Sequence, residues 1–304
     1  MVVCALAVAQ SRGLSSVPAA AARRLEIIRL EHEMEEEREN KARVRELRKR
    51  LNALRRATPQ PSEVRVATFY RFLELDPETC RVRLSAALEA LGVVLGSVTV
   101  SREGVNGALA VPAGIEFELE TVLAESLGFD VELNWAPATR ASPFLHLRVR
   151  SKPKILEDGL AEELDWSVCG SELEPAAWHE ALSSGEAVVL DVRNGYESAL
   201  GSFENATLLN TDSFARSWHR LDDLLRDKPS DTKILMFCTG GIRCVKGGAY
   251  VRQKLGFTNV HRLKHGVVGY ERWLAEEEGV RASSSSSSLF RGSNFVFDRR
   301  KEAD

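Results

Sequence analysis

The sequence predicts an α/β protein of two domains: a small α+β domain, then a larger domain built on a doubly wound parallel sheet. The first reason is size, because 304 residues with 44% hydrophobic content exceed what one core usually takes. The second is that residues 64–136 alternate strand-like and helical segments in the order βαββαβ. The third is that residues 170–280 alternate short apolar runs with amphipathic segments, which is typical of parallel strands covered by helices.

The first 57 residues precede both domains. Residues 1–24 contain three arginines and no acidic residue, so we expect either an organellar transit peptide or a disordered start. In residues 25–57, acidic residues predominate at the start and basic residues predominate from Lys41 onwards. Leu47, Leu51 and Leu54 recur at helical spacing. We expect a charged helical arm there, which is either a solvated helix or an arm that contacts RNA.

Residues 64–155 form the first predicted domain. A helix is expected to begin at Asp76 and Pro77, which suit its N-cap and first turn, and to end at Gly92. Two strands are expected on either side of a turn at residues 104–107, "GVNG". The element order is that of a ferredoxin-like sandwich. The alternating segment "FLHLRVRSKPKI" predicts an extra strand leading out of this domain.

Residues 170–280 form the second predicted domain. Its apolar runs, such as "AVVLDVR" and "KILMFC", are short and separated by helical segments. In such sheets the chemistry lies at the carboxyl ends of the strands, and "KILMFC" places Cys238 at that edge. Residues 283–304 are predicted to be a serine-rich linker and a C-terminal tail.

Composition argues against several classes of protein. A formal net charge of -3 gives no global sign of nucleic-acid binding. Five scattered cysteines argue against a secreted disulfide framework, and no apolar run approaches the roughly 18 residues that span a bilayer. We therefore expect an intracellular protein without a membrane span, cytoplasmic unless residues 1–24 direct it to a chloroplast or mitochondrion.

The segment after "KILMF" carries the predicted chemistry. The loop consists of Cys238, Thr239, Gly240, Gly241 and Ile242, and Arg243 follows it. Small residues allow consecutive amides to converge on an anion, and the following helix N-terminus and Arg243 add positive charge. These features predict a nucleophilic Cys238 thiolate at neutral pH. The Cys-x4-Arg ring is one residue shorter than the Cys-x5-Arg ring of cysteine phosphatases, and it suits a single sulfur atom carried as a persulfide.

Several motifs together resemble a known family. "VVLDVRNGYE", "GSFENATLLN", "ILMFCTGGIRC" and "VHRLKHGVVGY" resemble the landmarks of a rhodanese domain. With "SREGVNGALA" upstream and "NFVFDRR" downstream, residues 64–300 resemble the rhodanese-containing tRNA uridine hydroxylases, in which a ferredoxin-like, acylphosphatase-like domain precedes the rhodanese domain. The resemblance implies oxygen-dependent conversion of tRNA wobble uridine to 5-hydroxyuridine. The loop alone implies an alternative, a sulfurtransferase that takes sulfur from thiosulfate or a persulfide donor.

The resemblance also assigns residues. It implies that Cys238 is the essential cysteine and Arg243 the loop arginine. Asp191 and Arg193 match the rhodanese Asp-x-Arg, at the edge of the cleft, and we expect Glu197 to pair with Arg243. For Asp191 and Glu197, a purely structural role is the alternative to a catalytic one.

Three more residues flank the loop. Cys244 is interpreted either as a small buried hydrophobe or as a resolving thiol that attacks an oxidised Cys238. We expect Lys246 to be a solvated lysine rather than a cleft residue. His265 stands where the family commonly has glycine, and it is either an access-altering residue or a surface histidine.

RNA contacts are predicted on the first domain. The residues of the "REGVNG" motif favour the turn of a β-hairpin. The resemblance implies, in addition, that this turn faces the substrate. Basic residues near the domain junction suit phosphate contacts, although alternate positions on a strand are also typical of a solvent face. The RNA-binding candidates are Arg102, Asn106, Arg148, Arg150 and Lys152. We expect no metal site and no bound cofactor, with molecular oxygen as co-substrate.

Overall fold

The computed structural model describes residues 26, 29–30, 33–34, 36–37, 40–57, 63–280 and 287–295. The expectations for residues 1–24, and for the tail after residue 295, lie outside the described residues. Helix α1, Lys41–Ala57, buries Leu47 and Leu51 against Leu30. Among the described residues, no helix is both long enough and apolar enough to cross a membrane.

The first domain is a five-stranded sheet covered by two helices. Its elements are β1 Val64–Phe72, α2 Pro77–Leu91, β2 Leu95–Ser101, β3 Gly104–Pro112, α3 Glu116–Leu127, β4 Asn134–Trp135 and β5 Leu147–Ser151. The strand order is β4-β1-β3-β2-β5, in which the first four strands are antiparallel and β5 joins β2 in parallel. The predicted ferredoxin-like arrangement and the extra strand are therefore confirmed.

The ends of helix α2 follow the predicted chemistry. The Asp76 side chain accepts a hydrogen bond from the Thr79 amide at 2.8 Å, which satisfies one of the free amides of the first turn. Gly92 ends the helix with a φ of 66°, a conformation that favours glycine. Leu84 and Leu88 of this helix are fully buried against the sheet.

The predicted position of the β2–β3 turn, residues 104–107, is wrong. The turn consists of Arg102 and Glu103, since Ser101 pairs directly with Gly104. The glycines of the motif serve close packing instead of the turn. A Cβ on Gly104 would lie 2.0 Å from the carbonyl oxygen of Arg71, and a Cβ on Gly107 would lie 2.5 Å from the Phe69 ring. Strand β3 can therefore approach β1 only because both residues lack side chains.

The second domain contains a five-stranded parallel sheet with helices on both faces. Its strands are β6 Ser171–Leu173, β7 Val188–Asp191, β8 Gly201–Phe203, β9 Thr207–Leu208, β10 Ile234–Phe237, β11 Val260–Leu263 and β12 Phe290–Gly292. Its helices are α4 Pro175–Ser183, α5 Gly195–Ser198, α6 Ser217–Leu225, α7 Ile242–Gln253 and α8 Gly266–Val280. The main sheet has the order β6-β11-β10-β7-β9, and β8 pairs with β12 separately.

The centre of this sheet explains where the site lies. Strand β10 is buried along its whole length, with one apolar cluster on each face of the sheet. All neighbouring pairs in the main sheet are parallel, so their carboxyl ends share one edge. The doubly wound parallel sheet predicted from the sequence is confirmed. Strand β1 of the first domain lies against this edge, where Tyr70 and Phe72 pack on Val245 and Cys169.

Candidate active site

The cysteine loop connects the end of β10 to the start of α7. Cys238 follows the last strand residue, and Gly241 precedes the helix with a φ of 99°, which glycine adopts readily. The Gly241 amide donates a hydrogen bond to Cys238 Sγ at 3.1 Å. From the other side, the Val267 amide of α8 donates to the Cys238 carbonyl at 2.9 Å. The sulfur is thus held at a helix N-terminus and is fully buried.

The surroundings of Cys238 favour its ionised form. Burial opposes ionisation, but hydrogen bonds from the Cys244 side chain and from the amides of Cys244 and Gly241, together with the charge of Arg243, outweigh it. They lower the pKa of Cys238 from its ordinary 9.0 to about 5. Cys238 is therefore a thiolate at neutral pH, as the loop sequence predicts. A thiolate is the form in which cysteine acts as a nucleophile.

Cys244 behaves differently although it is equally buried. Burial and the neighbouring Cys238 thiolate raise the pKa of Cys244 well above its ordinary 9.0. Cys244 therefore stays protonated and donates to the Cys238 sulfur. Cys244 is also fully buried in an apolar cluster, which agrees with the small-hydrophobe alternative, and its hydrogen bond to the thiolate is an additional role. The resolving-thiol alternative stays a prediction.

Arg243 is fixed by a carboxylate beneath the loop. Its guanidinium donates two hydrogen bonds to Glu197, one of 2.7 Å to Oε1, and Thr239 Oγ1 donates to the same oxygen at 2.9 Å. Glu197 also accepts from the Asn194 amide at 3.1 Å, which ties the start of α5 to the loop. The expected pair between Glu197 and Arg243 is present, and it holds the loop in shape.

Asp191 and Arg193 form a second buried ion pair at the end of β7. Arg193 donates to both carboxylate oxygens of Asp191, at 2.9 and 2.7 Å, and to the Gly201 carbonyl. Ser198 and Ser202 donate to the same carboxylate. Asp191 is the last residue of β7 and is in register with Phe237, so it lies at the carboxyl edge of the sheet, as the sequence predicts. It is fully buried, and its hydrogen bonds join α5 and β8 to the sheet. A catalytic role for Asp191 stays a prediction.

Lys246 is not the solvated lysine that the sequence suggested. Its side chain is fully buried, and its ammonium donates to both oxygens of Glu103, at 2.8 and 2.9 Å, and to Asp158 at 2.6 Å. Glu103 belongs to the β2–β3 turn of the first domain, whereas Lys246 belongs to α7. The ammonium also lies 4.7 Å from the centre of the Trp166 ring. This cluster joins the two domains next to the cysteine loop.

The RNA-binding candidates lie in two different settings. Asn106 donates to the Ile155 carbonyl at 3.1 Å and so contacts the segment between the domains. Arg102 is exposed and pairs with Glu74 at 3.2 Å. The others are exposed on β5 or directly after it: Arg148, Arg150 and Lys152.

A cavity of about 270 Å³ lies between the domains at the sheet edge. The first domain contributes five residues of β1 and two at β4 to its wall: Thr68, Phe69, Tyr70, Arg71, Phe72, Glu132 and Asn134. The rest of the wall comes from residues after the first domain: Trp166, Cys169, Glu172, Gly240, Val245, Arg262 and His265. Sequence analysis identified Gly240 and His265 but missed Tyr70, Arg262 and Glu172. No motif could have found these, since they are single residues on strands from two domains.

His265 connects the domains at one end of the cavity. Its Nε2 lies 2.9 Å from Glu132 Oε1, and its carbonyl accepts from Asn134 at 3.1 Å. Its φ of 57° lies in the left-handed region, which explains why glycine is readily accommodated at this position. His265 therefore lines the cavity and is not an ordinary surface histidine.

Comparison with known proteins agrees with this architecture. A family described as the UPF0176 acylphosphatase like domain matches residues 64–155, and the rhodanese-like domain matches residues 174–273. The fold and the cysteine loop therefore define a two-domain protein of the rhodanese superfamily. Among solved structures, a rhodanese-related protein from Thermoplasma volcanium aligns with 34% of this chain and 92% of its own, at 20% identity and a TM-score of 0.27.

Curated relatives specify the family. Proteins named tRNA uridine(34) hydroxylase from Parasynechococcus marenigrum and Caulobacter vibrioides are each 36% identical, over 79% and 78% of this chain. The chain covers 74% and 73% of those relatives, and 62% of a third, from Leptospira interrogans, that is 34% identical. The chain belongs to the tRNA uridine(34) hydroxylase family.

Proposed function

We propose that this protein hydroxylates carbon C5 of the wobble uridine of tRNA, with Cys238 as the catalytic thiolate. The observation that carries the proposal is the combination of family membership across both domains with a cysteine of pKa about 5 beside the cavity between them. A rhodanese loop alone would fit several activities. The first domain distinguishes this protein, because its strand β1 forms one wall of the cavity.

A thiolate is suited to activate a uracil ring. Carbon C6 of uracil is electrophilic because it is conjugated with the C4 carbonyl, so a thiolate can form a bond to it. That addition increases the electron density at C5, the carbon that must gain oxygen. Loss of the C5 proton after oxygenation then expels the thiolate and restores the ring. Because Cys238 is fully buried, we infer that the base reaches the sulfur only when the loop and β1 separate.

We propose molecular oxygen as the co-substrate. Replacing the C5 hydrogen by a hydroxyl group is a two-electron oxidation, in which one oxygen atom enters the new C–O bond. The other oxygen atom leaves as water, and a pair of external thiols supplies two electrons and two protons and becomes a disulfide. Heavy oxygen gas should therefore label the hydroxyl group of the product, whereas heavy water should not.

The test is complementation of a hydroxylase-deficient bacterium with the full chain. Mass spectrometry of tRNA nucleosides should detect 5-hydroxyuridine with the wild type and none with Cys238→Ser. Cys80→Ser is the matched control, because Cys80 is another buried cysteine but lies in the core of the first domain. Wild-type protein that is made and folded but leaves wobble uridine unmodified would overturn the proposal.

The same strains test the sulfurtransferase alternative, which the short Cys-x4-Arg ring favours. In sulfur transfer, the Cys238 thiolate would take the outer sulfur of thiosulfate and release sulfite, and cyanide would then take that sulfur from the persulfide as thiocyanate. Thiocyanate formation that depends on Cys238, together with unchanged tRNA nucleosides, would support a sulfur donor as partner in place of oxygen chemistry on tRNA.

A further inference from the structure

An arginine and a glutamate stand side by side in the wall of the cavity. Arg262 on β11 and Glu172 on β6 are partners in the parallel register of the two strands. Both line the cavity, and neither takes part in the thiolate chemistry proposed for Cys238. They contact each other through Arg262 Nη1 and Glu172 Oε1, at 3.4 Å.

Arg262 has unused donor capacity. It is only 9% exposed, and its Nε–H has no hydrogen-bond partner within the part of the chain that the structure describes. Its ion pair with Glu172, at 3.4 Å, is long for a charge-assisted bond. Arg243, by contrast, donates to both oxygens of Glu197. A buried guanidinium donor without a partner is unusual in a native fold, and a ligand acceptor would satisfy it after a small shift of the side chain.

The rest of the cavity suits a planar ring. Tyr70, Phe72 and Trp166 are three aromatic side chains in one wall, and the Phe72 and Trp166 ring centres are 5.6 Å apart. Enzymes that modify a base take it out of the stack and hold it between aromatic or apolar side chains. Tyr70 also reaches the cysteine loop, since a Cβ on Gly241 would lie 2.7 Å from its hydroxyl. A ring in this cavity would therefore lie next to the loop.

The arginine and glutamate match one base better than another. The Watson–Crick edge of uracil presents a carbonyl acceptor, the N3–H donor and a second carbonyl acceptor. Cytosine presents an amino donor beside an unprotonated N3 acceptor, which a carboxylate repels. With Glu172 opposite N3 and the guanidinium opposite the neighbouring carbonyl, the pair complements uracil, whereas cytosine in the same position would place its N3 lone pair against the carboxylate.

We propose that Arg262 and Glu172 recognise the uracil edge: Arg262 donates to a ring carbonyl, and Glu172 accepts from N3–H. This inference rests on the proposed function, because that function supplies the uracil. It adds the residues that select uracil over cytosine, and it assigns the cavity beside the cysteine loop as the base-binding site.

The experiment compares two tRNA transcripts that differ only in carrying uridine or cytidine at the wobble position. Binding of each transcript and turnover of the uridine transcript are measured with the purified full chain. Glu172→Gln should lower kcat/KM for the uridine transcript by about tenfold or more and should reduce the preference for uridine in binding, since an amide can also donate to cytosine N3. Arg262→Met should have a similar effect on turnover, and Arg262→Lys should restore only part of it because lysine lacks the planar fork.

The matched controls are Asp212→Asn and Arg216→Gln, which remove an exposed ion pair on the second domain. These should leave turnover and the uridine preference unchanged. Folded Glu172→Gln and Arg262→Lys proteins that keep the wild-type KM and the wild-type preference would overturn this inference alone. A wild-type protein that hydroxylates neither transcript would instead overturn the proposed function.

Discussion

The guanidinium of Arg243 and the carboxylate of Glu197 form a two-bond ion pair directly beneath the loop that carries Cys238. Both side chains are almost completely buried. The arginine therefore has two effects at once: it fixes the loop through Glu197, and its charge favours the Cys238 thiolate.

We predict that Glu197→Gln destabilises the protein by about 3 kcal/mol, because breaking a buried ion pair leaves an uncompensated charge. Denaturant unfolding of the two proteins measures the difference. Glu204→Gln is the control, since Glu204 pairs with Arg291 at the exposed surface and should cost at most about 1 kcal/mol. Equal losses for the two variants would contradict the interpretation.

The low pKa of Cys238 predicts a pH-dependent stability. The folded pKa, about 5, lies below the ordinary 9.0, so the thiolate stabilises the fold fully above about pH 9. This contribution decreases as the pH falls and is lost below about 5. The difference in unfolding free energy between the wild type and Cys238→Ser should therefore rise from pH 5 to pH 9. A difference that stays flat over this range would rule out a depressed pKa.

Cys244 should set part of that pKa. We predict that Cys244→Ala raises the pKa of Cys238, because the thiolate loses a hydrogen-bond donor. Cys244→Ser keeps a hydroxyl donor, so it should change the pKa of Cys238 less. Ultraviolet absorbance of the thiolate during a pH titration reports the midpoint. If both variants titrate like the wild type, Cys244 is a packing residue only.

The contact between Tyr70 and Gly241 can be tested by a double-mutant cycle. Gly241→Ala should be destabilising because of its φ of 99° and because the new Cβ would lie 2.7 Å from the Tyr70 hydroxyl. In a Tyr70→Phe background the closest ring atoms lie at 3.4 Å, so the penalty should be smaller by about 0.5–3 kcal/mol.

Gly114→Ala is the control for this cycle. Gly114 has a nearly equal φ of 97°, but no atom lies within 4 Å of the added Cβ. The loss of unfolding free energy caused by Gly114→Ala thus measures only the penalty of placing a side chain at a positive φ. The Tyr70 contact would be refuted if Gly241→Ala cost no more than Gly114→Ala and showed no coupling.

The exposed basic side chains on and directly after β5 should contact tRNA phosphates. Replacing Arg148, Arg150 and Lys152 by glutamine should weaken tRNA binding. The plot of log affinity against log salt concentration should also become less steep, by about 0.7–0.9 per lost phosphate contact. Arg216→Gln with Arg226→Gln, at exposed positions near α6, is the control. An unchanged slope would show that β5 presents an ordinary solvent face.

Local chemistry explains what the sequence could predict. Helix α2 follows from Asp76, Pro77 and Gly92, and the thiolate follows from the spacing of Cys238 to Arg243, since both depend on residues close together in the chain. The buried sheet follows from short apolar runs. Each of these features is determined by neighbours that a reader of the sequence can see together.

The wrong predictions concern residues whose partners are distant in sequence. Lys246 looks like a surface lysine until Glu103, 143 residues earlier, and Asp158 are placed beside it. The cavity residues Tyr70 and Arg262 come from different domains, so only the packing of β1 on the second domain brings them together.

The complete burial of Cys238 has a consequence for the lifetime of the enzyme. Peroxide oxidises accessible thiolates first to sulfenic acid, which thiols can reverse, and then to sulfinic and sulfonic acids, which are essentially irreversible. Here Cys238 is fully buried, with Tyr70 of the first domain against its loop, so we expect the protein without substrate to resist this oxidation. Variants that expose Cys238 should lose activity faster on storage in air, even where their initial turnover is normal.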